Sequence, residues 1–460
     1  MNFEKVYNQT FGKVTGDSKF IESLLLRFKP NFILEMGAGG GRCLPLYRDT
    51  NIQKIYLNEI SSTNIALLDS KKIELNLQNI SLLHSHSFNL DVPKNSIEMI
   101  LIPFAGIAEM TPILFTLSEA FRVLKDEGVL YFNAINPSSK ITGAYGLMRS
   151  SLMKWEHSVS AETIKSGGKE DFEFNVHFEV RLPGVHKKFI IEQVHPDLES
   201  WKNLLSIVGF QIEELTGGFD EKKFTPESDL IQIVAKKTKP KEAVTTNSQL
   251  LGTLYNQLSE KYDTISKGQH YKIPNWVKEK LKPYQLLHPI ILDLGCASGN
   301  VGELIKEQKI EPCLLFGTDL SNNMLEVARS KNIYTSLLQL DLSQGFPEPK
   351  SNLFDLVFAL GFFEFIEAPR ALLKDIQRTL KLGGEACITF EKSFDNIYET
   401  QMPLNGSTIV RKSYSKEQIL DLLNIAKFKI IEISDGEAYT SPSTGKVIEY
   451  WYCHVKKIDL

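Results

Sequence analysis

At 460 residues the chain is too long for one ordinary core and suits two or three domains. Its content of 42% hydrophobic and 23% charged residues is that of a soluble globular protein, and a net charge of −4 argues against broad binding to nucleic acid or to an anionic membrane surface. The five cysteines (Cys43, Cys296, Cys313, Cys387, Cys453) form no CxxC pair and leave one odd, which predicts reduced thiols in the cytoplasm and neither a disulfide framework nor a metal site. The start of the chain lacks an apolar signal core, and the longest apolar stretch, Met99 to Ala108 between Glu98 and Glu109, is too short to span a bilayer.

The first half alternates strand and helix. Residues 32–36 are a short apolar run before glycines and predict a buried strand; residues 55–58 predict a second. Residues 62–71 predict a helix with Ile65, Leu67 and Leu68 inward. A continuous apolar strand is expected at 97–102, a helix with Leu114, Leu117, Phe121 and Leu124 at helical spacing over 112–124, and a strand at 128–134. This order implies a parallel sheet with helices on both faces. From Phe172 to Leu182 apolar and polar residues alternate strictly, which predicts a half-buried strand. Pro183-Gly184 turns it and residues 188–194 can return, so an antiparallel hairpin is expected outside the parallel sheet, within an insertion at about 150–196. Thr238 to Gln249 is polar and aperiodic and reads as a linker. The expected division is 1–238, a linker at 239–249, and 250–460.

The second half repeats the first. Asn31-Phe-Ile-Leu-Glu35-Met-Gly37-Ala-Gly39-Gly-Gly41 is an apolar strand, a carboxylate and a glycine-rich turn; Pro289-Ile-Ile-Leu-Asp293-Leu-Gly295-Cys-Ala297-Ser-Gly299 is the same, and the two carboxylates are 258 positions apart. Arg122-Val-Leu-Lys125 and Arg378-Thr-Leu-Lys381 recur at an offset of 256, while Leu204–Phe210 and Leu422–Phe428 recur at 218. The fall of 38 positions between them locates the insertion in the first copy.

A glycine-rich strand–helix turn lets backbone approach a ligand closely. Neither turn has the full GxGxxG of dinucleotide sites, and an acid before each would repel a pyrophosphate but could neutralise an ammonium or a sulfonium. A second acid ends the next strand, Glu59 in one copy and Asp319 in the other, where a carboxylate can accept both hydroxyls of a ribose. Asp341 follows in the second copy, placed to hold an adenine amino group. This ordered set resembles the class I S-adenosylmethionine-dependent methyltransferases, twice over and across almost the whole chain.

The resemblance implies two tandem Rossmann-like doubly wound α/β domains and S-adenosyl-L-methionine as cofactor. In the second domain it implies that Asp293, Gly295, Ala297 and Gly299 line the methionine and sulfonium portion. Asp319 would take the ribose, and Met324 and Asp341 would frame the adenine. Ala297 stands where the family usually has glycine. Tyr271-Lys-Ile-Pro274 and the segment Arg411 to Ser415 look like the small-molecule branch near the Williams–Beuren-region methyltransferase. In the first domain the matching positions are Glu35, Gly37, Gly39 and Glu59, with His86 where an adenine-binding aspartate is expected. Ile102-Pro-Phe104, the inserted hairpin and Leu215-Thr-Gly-Gly-Phe-Asp220 look like methyltransferases of amino-sugar nitrogens and other small amines.

The expected reaction is methyl transfer to a small-molecule acceptor, at nitrogen or oxygen. The second domain is expected to be active, and the first to be a second catalytic unit or a degenerate partner. Candidate bases and acceptor contacts are Glu364, in the aromatic run Phe362-Phe-Glu-Phe365, and His177 and His195 in the first domain. Tyr255 and Tyr262 are placed to cover the cofactor or to pack inside. The competing readings are a first domain that recruits a peptide or protein as a scaffold, and a nucleotide-dependent oxidoreductase. The open edge of the hairpin would also allow a homodimer.

Overall fold

The computed structural model of the protein describes residues 8, 16–138, 158–165, 173–182, 185–239, 245–268, 273–285, 287–311, 313–394, 397–404, 407–441 and 445–459. The chain divides into two compact units, Met1–Pro240 and Lys241–Leu460.

The first unit runs α1 (Ser18–Phe28), β1 (Phe32–Met36), β2 (Lys54–Glu59), α2 (Ser62–Glu74), β3 (Ile80–His84), β4 (Ile97–Ile102), α3 (Ile113–Val123), β5 (Leu124–Ile135), β6 (Ser158–Lys165), β7 (Glu173–Leu182), β8 (Val185–Val194), α4 (Leu198–Val208), β9 (Phe210–Thr216) and β10 (Leu230–Lys237). Seven strands form one sheet in the order β3-β2-β1-β4-β5-β10-β9. β1 to β5 pair in parallel, and β10 pairs antiparallel with both β5 and β9. The sheet is therefore mixed where the alternation of strand and helix predicted a parallel one. The last two strands follow each other without a crossover helix, and such a connection leaves neighbours antiparallel. β1 and β4 are central and almost wholly buried, as continuous apolar runs in a doubly covered sheet must be.

The insertion is a separate three-stranded antiparallel sheet, β6-β7-β8. The hairpin expected from residues 172–194 accounts for two of its strands. β6 gave no signal because Ser-Val-Ser-Ala-Glu-Thr-Ile-Lys has few large apolar side chains. The turn at Pro183-Gly184 and much of the expected 150–196 stretch lie outside the described residues.

The second unit runs α5 (Thr246–Leu258), α6 (Tyr262–Gly268), α7 (Ile273–Leu281), β11 (Ile290–Leu294), α8 (Asn300–Glu307), β12 (Leu314–Asp319), α9 (Asn322–Ser330), β13 (Ser336–Gln339), β14 (Phe354–Ala359), α10 (Pro369–Thr379), β15 (Leu380–Glu391), β16 (Glu399–Leu404), β17 (Ser407–Lys412), α11 (Lys416–Ile425), β18 (Phe428–Thr440) and β19 (Val447–Lys457). Its sheet has the same order, β13-β12-β11-β14-β15-β19-β18. In place of the three-stranded insertion it has a short antiparallel hairpin, β16–β17. Of the two family-like segments, Tyr271 and Lys272 lie outside the described residues.

The repeated Arg-x-x-Lys motif belongs to the end of each sheet opposite the glycine turn. Lys125 Nζ reaches Glu98 at 2.8 Å, and Glu98 accepts from the Asn31 amide at 2.6 Å. Lys381 Nζ reaches Asp355 at 2.8 Å, and Asp355 accepts from the Ile290 amide at 2.8 Å. Each acid thus ties the entry of the first strand to the fourth. Arg122 and Arg378 donate to carbonyls of the loop ahead of that strand, Leu90 O at 3.0 Å and Glu348 O at 2.7 Å. A lysine ending the last strand completes the tie: Lys237 Nζ donates to Phe121 O and Leu124 O, and Lys457 Nζ to Arg378 O and Leu380 O. The ammonium satisfies carbonyls that the helix–strand junction would otherwise leave unpaired.

Candidate functional site

In this strand order the connections leave β1 and β4, or β11 and β14, in opposite directions, so a crevice opens at the carboxyl ends of those strands. Both glycine turns lie there. In the first unit the crevice is a cavity of about 380 Å³; its walls include Glu35, Gly37, Gly39, Glu59 and His86, with Phe88, Phe104, Glu109 and Met110. In the second it is a cavity of about 110 Å³ whose walls include Gly295, Ala297, Asp319 and Asp341, with Tyr255, Tyr262, Phe362 and Phe365.

The two crevices share one polar clamp. The Gly39 amide donates to Glu59 Oε2 and the Ser61 amide to Oε1, both at 2.8 Å. The Ala297 amide donates to Asp319 Oδ2 and the Ser321 amide to Oδ1, again both at 2.8 Å. A carboxylate has about four acceptor positions, so each acid is locked in place by two and keeps others for a ligand. Burial raises the Asp319 carboxyl to about 6, against the hydrogen bonds from those amides. Gly37 sits at φ +68, and a Cβ there would lie 2.4 Å from the Met110 methyl; Gly295 at φ +67 would meet the Phe362 ring at 2.7 Å. A side chain at either position would collide with a residue of the crevice wall.

The acids ahead of the turns are held by tyrosines from unrelated places in the chain. The Tyr47 hydroxyl donates to Glu35 at 2.7 Å and the Tyr334 hydroxyl to Asp293 at 2.6 Å. Burial pushes the Glu35 carboxyl up and the Asp293 carboxyl to about 7, each against its tyrosine. Arg42 does not discharge Glu35 alone, because its guanidinium forks onto buried Asp17.

The residues expected to hold an adenine are placed by strand register. Glu59 lies opposite His84 and Asp319 opposite Gln339, and two residues further on are His86 and Asp341. Asp341 caps a turn, accepting from the Ser343 amide at 2.9 Å and the Ser248 hydroxyl at 3.1 Å. The His86 ring stacks on Phe88 with centroids 4.6 Å apart, and burial lowers its pKa.

Both units place an acid in the turn after the fourth strand, but at different positions. Register sets Leu101 opposite Glu35 and Phe358 opposite Asp293, so Glu364 corresponds to Ile107. Glu364 is 2% exposed and lies behind the aromatic wall of the second cavity. Its Oε1 accepts from the Tyr450 hydroxyl at 2.6 Å and lies 3.8 Å from Arg411, while Oε2 has no hydrogen-bond partner among the described residues. Arg411 also pairs with Glu391 and donates to the Tyr439 hydroxyl at 2.7 Å. In the first unit the acid is Glu109, two residues past Ile107 and on the cavity wall. Gln193 Nε2 donates to its Oε1 at 2.7 Å, and His195 Nε2 lies 3.0 Å from Gln193 Oε1. Gln193 and Arg411 are 218 positions apart, the offset already seen between the flanking helices.

The structure thus gathers Glu35, Gly37, Gly39, Glu59 and His86 around one cavity, and Gly295, Ala297, Asp319 and Asp341 around the other. Asp293, Gly299 and Met324 are one layer back. Gly299 is packed by Tyr334 and Ala328, and Met324 is fully buried with its amide capped by Ser321. His195 is 1% exposed and sits behind Gln193; burial lowers its pKa to about 3, so the ring is neutral. His177 is on β7, opposite Glu162 and Ile190 in register, in the separate three-stranded sheet. Sequence reasoning missed Tyr47, Tyr334, Glu109 and Gln193. Glu109 carried a usable signal, an acid in the same turn as Glu364; a tyrosine 41 positions beyond Asp293 carried none.

Among the described residues no helix is long and apolar enough to cross a membrane, and all five cysteines are free thiols.

A family described as "Methyltransferase domain" matches residues 34–132 and again 292–388. The carboxy-S-adenosyl-L-methionine synthase of Helicobacter pylori (strain P12) is 31% identical over 148 residues, 31% of this chain and 58% of its own length. The demethylmenaquinone methyltransferase of Lactococcus lactis subsp. lactis (strain IL1403) is 25% identical over 191 residues, 37% of this chain and 73% of its own length. This chain therefore spans a little over half of the first relative and about three quarters of the second. Among solved structures, an S-adenosylmethionine-dependent methyltransferase from Clostridium acetobutylicum ATCC 824 has a TM-score of 0.41 at 15% identity, covering 52% of this chain and 98% of that chain.

Proposed function

We propose, from the premise that two methyltransferase domains make this chain an S-adenosyl-L-methionine-dependent methyltransferase, that each domain holds one cofactor and passes its methyl group to a small-molecule acceptor at nitrogen or oxygen. The observation that carries this reading is the duplicated clamp, a strand-end acid fixed by one amide of the glycine turn and one amide of the next helix cap. The residues fit the cofactor. Glu59 and Asp319 keep acceptor positions for two ribose hydroxyls. A Cβ added at Gly39 would meet no atom within 4 Å, so the turn leaves open space over its backbone. His86 and Asp341 stand where the base would lie. The intact clamp in the first domain favours a cofactor site there over a peptide-recruiting scaffold.

When bound, the cofactor supplies an activated methyl group on a sulfonium. Displacement at such a methyl needs alignment and exclusion of water, with proton transfer only if the acceptor is protonated. In the second domain Tyr255, Tyr262, Phe362 and Phe365 supply a dry wall. Glu364, fixed by Tyr450, stands behind that wall as a positioning residue or proton acceptor for the group that enters. His177 and His195 are not assigned to the reacting atoms.

Calorimetric titration of the full chain with S-adenosylhomocysteine tests the reading. Two molecules bind per chain; a stoichiometry of one or none would end the two-site account. Tritium from labelled cofactor, transferred into fractionated extract, then identifies the acceptor.

A further inference from the structure

Glu109 and its partners are not among the residues assigned to the cofactor above. The acid lies on the wall of the first cavity, with one oxygen engaged by Gln193 and the other without a hydrogen-bond partner among the described residues. Its segment touches the glycine turn, since the neighbouring Met110 methyl is the group a Cβ on Gly37 would strike. The sulfur end of the cofactor would lie at that turn. Gln193 is 6% exposed and His195 1% exposed. The carboxylate of Glu109 requires a donor, so the Gln193 amide turns its Nε2 to the acid and its oxygen to the Nε2–H of His195; this tautomer is assigned from the network. A neutral, buried imidazole therefore orients an amide, and the amide orients an acid.

Charge separates this corner from its counterpart. At the position of Gln193 the second domain has Arg411, a cation between Glu364 and Glu391. In the first domain the partner is uncharged, Glu59 adds a second negative group, and the nearby Arg42 is committed to Asp17. Glu109 is exposed in the cavity, yet the atoms crowded around it raise its carboxyl, with the charge of Glu59 adding to this against the Gln193 hydrogen bond. Phe88, Phe104 and Met110 add apolar surface to the wall, beside Arg42, which lies over the Phe104 ring, and Thr111.

We propose that Glu109 is the acceptor-binding residue of the first domain, that its ligand is an amine on an apolar body, held as the ammonium by the oxygen that Gln193 leaves open, and that Glu109 takes the proton the nitrogen must lose. In the step that follows, the ammonium gives one proton to Glu109 and the freed lone pair forms the N–C bond to the methyl carbon. The C–S bond breaks with its electrons to sulfur, leaving neutral S-adenosylhomocysteine and an N-methylammonium that carries the charge the sulfonium brought. This inference rests on the cofactor reading of the first domain.

The test uses the full chain saturated with S-adenosylhomocysteine and two probes of one shape, benzylammonium and benzyl alcohol. Benzylammonium binds the wild type, and Glu109→Gln weakens it at least about tenfold, the loss expected for a hydrogen bond to a charged group. Gln193→Leu weakens it in the same sense. Benzyl alcohol, which carries no charge, loses less than benzylammonium in both variants, and both bind two molecules of S-adenosylhomocysteine with wild-type affinity, which reports their folding. Two cofactor-product sites with a benzylammonium isotherm identical in wild type and Glu109→Gln would overturn this inference alone. A wild type lacking the first-domain site for S-adenosylhomocysteine would overturn it together with the reading beneath it.

Discussion

Ala297 holds φ +46 in the turn where Gly39 holds φ +53. A side chain in the left-handed region costs about 1 kcal/mol relative to glycine. Ala297→Gly is therefore expected to stabilise the second unit by about that amount. Gly39→Ala should destabilise the first by a similar amount, since the added Cβ meets nothing within 4 Å. Denaturant midpoints at constant slope would check both. The buried acids set a second expectation. Asp293 at about 7 and Asp319 at about 6 lie above their unfolded values near 4, so the folded chain binds more protons than the unfolded one between about pH 4 and 7. Stability contributed by these groups falls as pH rises through that window. Ligand binding runs the other way, because Asp319 must be ionised to accept ribose hydroxyls at full strength. The rise in Tm given by S-adenosylhomocysteine at the second site should shrink as pH falls from 8 to 5.5; a constant or growing rise would refute the assignment of Asp319.

The helices α5 and α6 are tied over the second cavity. The Ser321 hydroxyl donates to Asn256 at 2.7 Å, Lys331 Nζ lies 2.8 Å from Asp263, and Asp263 also takes the Ser298 hydroxyl. Tyr255 and Tyr262 thereby face the ligand space. S-adenosylhomocysteine should slow hydrogen exchange across 250–266, and Tyr262→Ala should weaken one of two sites several-fold while sparing the other. Much of this scale was legible beforehand. Residues 32–36 and 97–102 read as strands because buried parallel strands are uninterrupted apolar runs with few alternative readings. The acids Glu59 and Asp319 were legible because their place is fixed relative to a strand end. Tyr47 and Tyr334 were not, since a side chain that reaches an acid through space leaves no spacing rule. Glu109 and Gln193 were hidden for a related reason: they are 84 positions apart, and only the packing of β8 on the turn 106–109 brings them together.

At the scale of the whole chain the two units repeat one sheet order, one clamp and one set of ties at the opposite end. Loss of a single clamp should then be local. Glu59→Ala and Asp319→Ala are each expected to remove one of two S-adenosylhomocysteine sites, by about tenfold or more per lost charged hydrogen bond, and the double variant both. Calorimetry distinguishes this from a single shared site, which either substitution would abolish. Among the described residues the copies differ in the helix that follows the first strand, in the place of the acid after the fourth, and most in the segment that follows the fifth strand, three antiparallel strands in one and a short hairpin in the other. Each segment starts from the end of a central strand and ends at the capped start of a helix, Asp197 in the first unit and Ser415 in the second. Those two caps are 218 positions apart, the offset of the flanking helices. A chimera carrying the segment of the first unit on the second scaffold would bring Gln193 without Glu109, so acceptor preference should move only in part, while the cofactor grip stays with the frame.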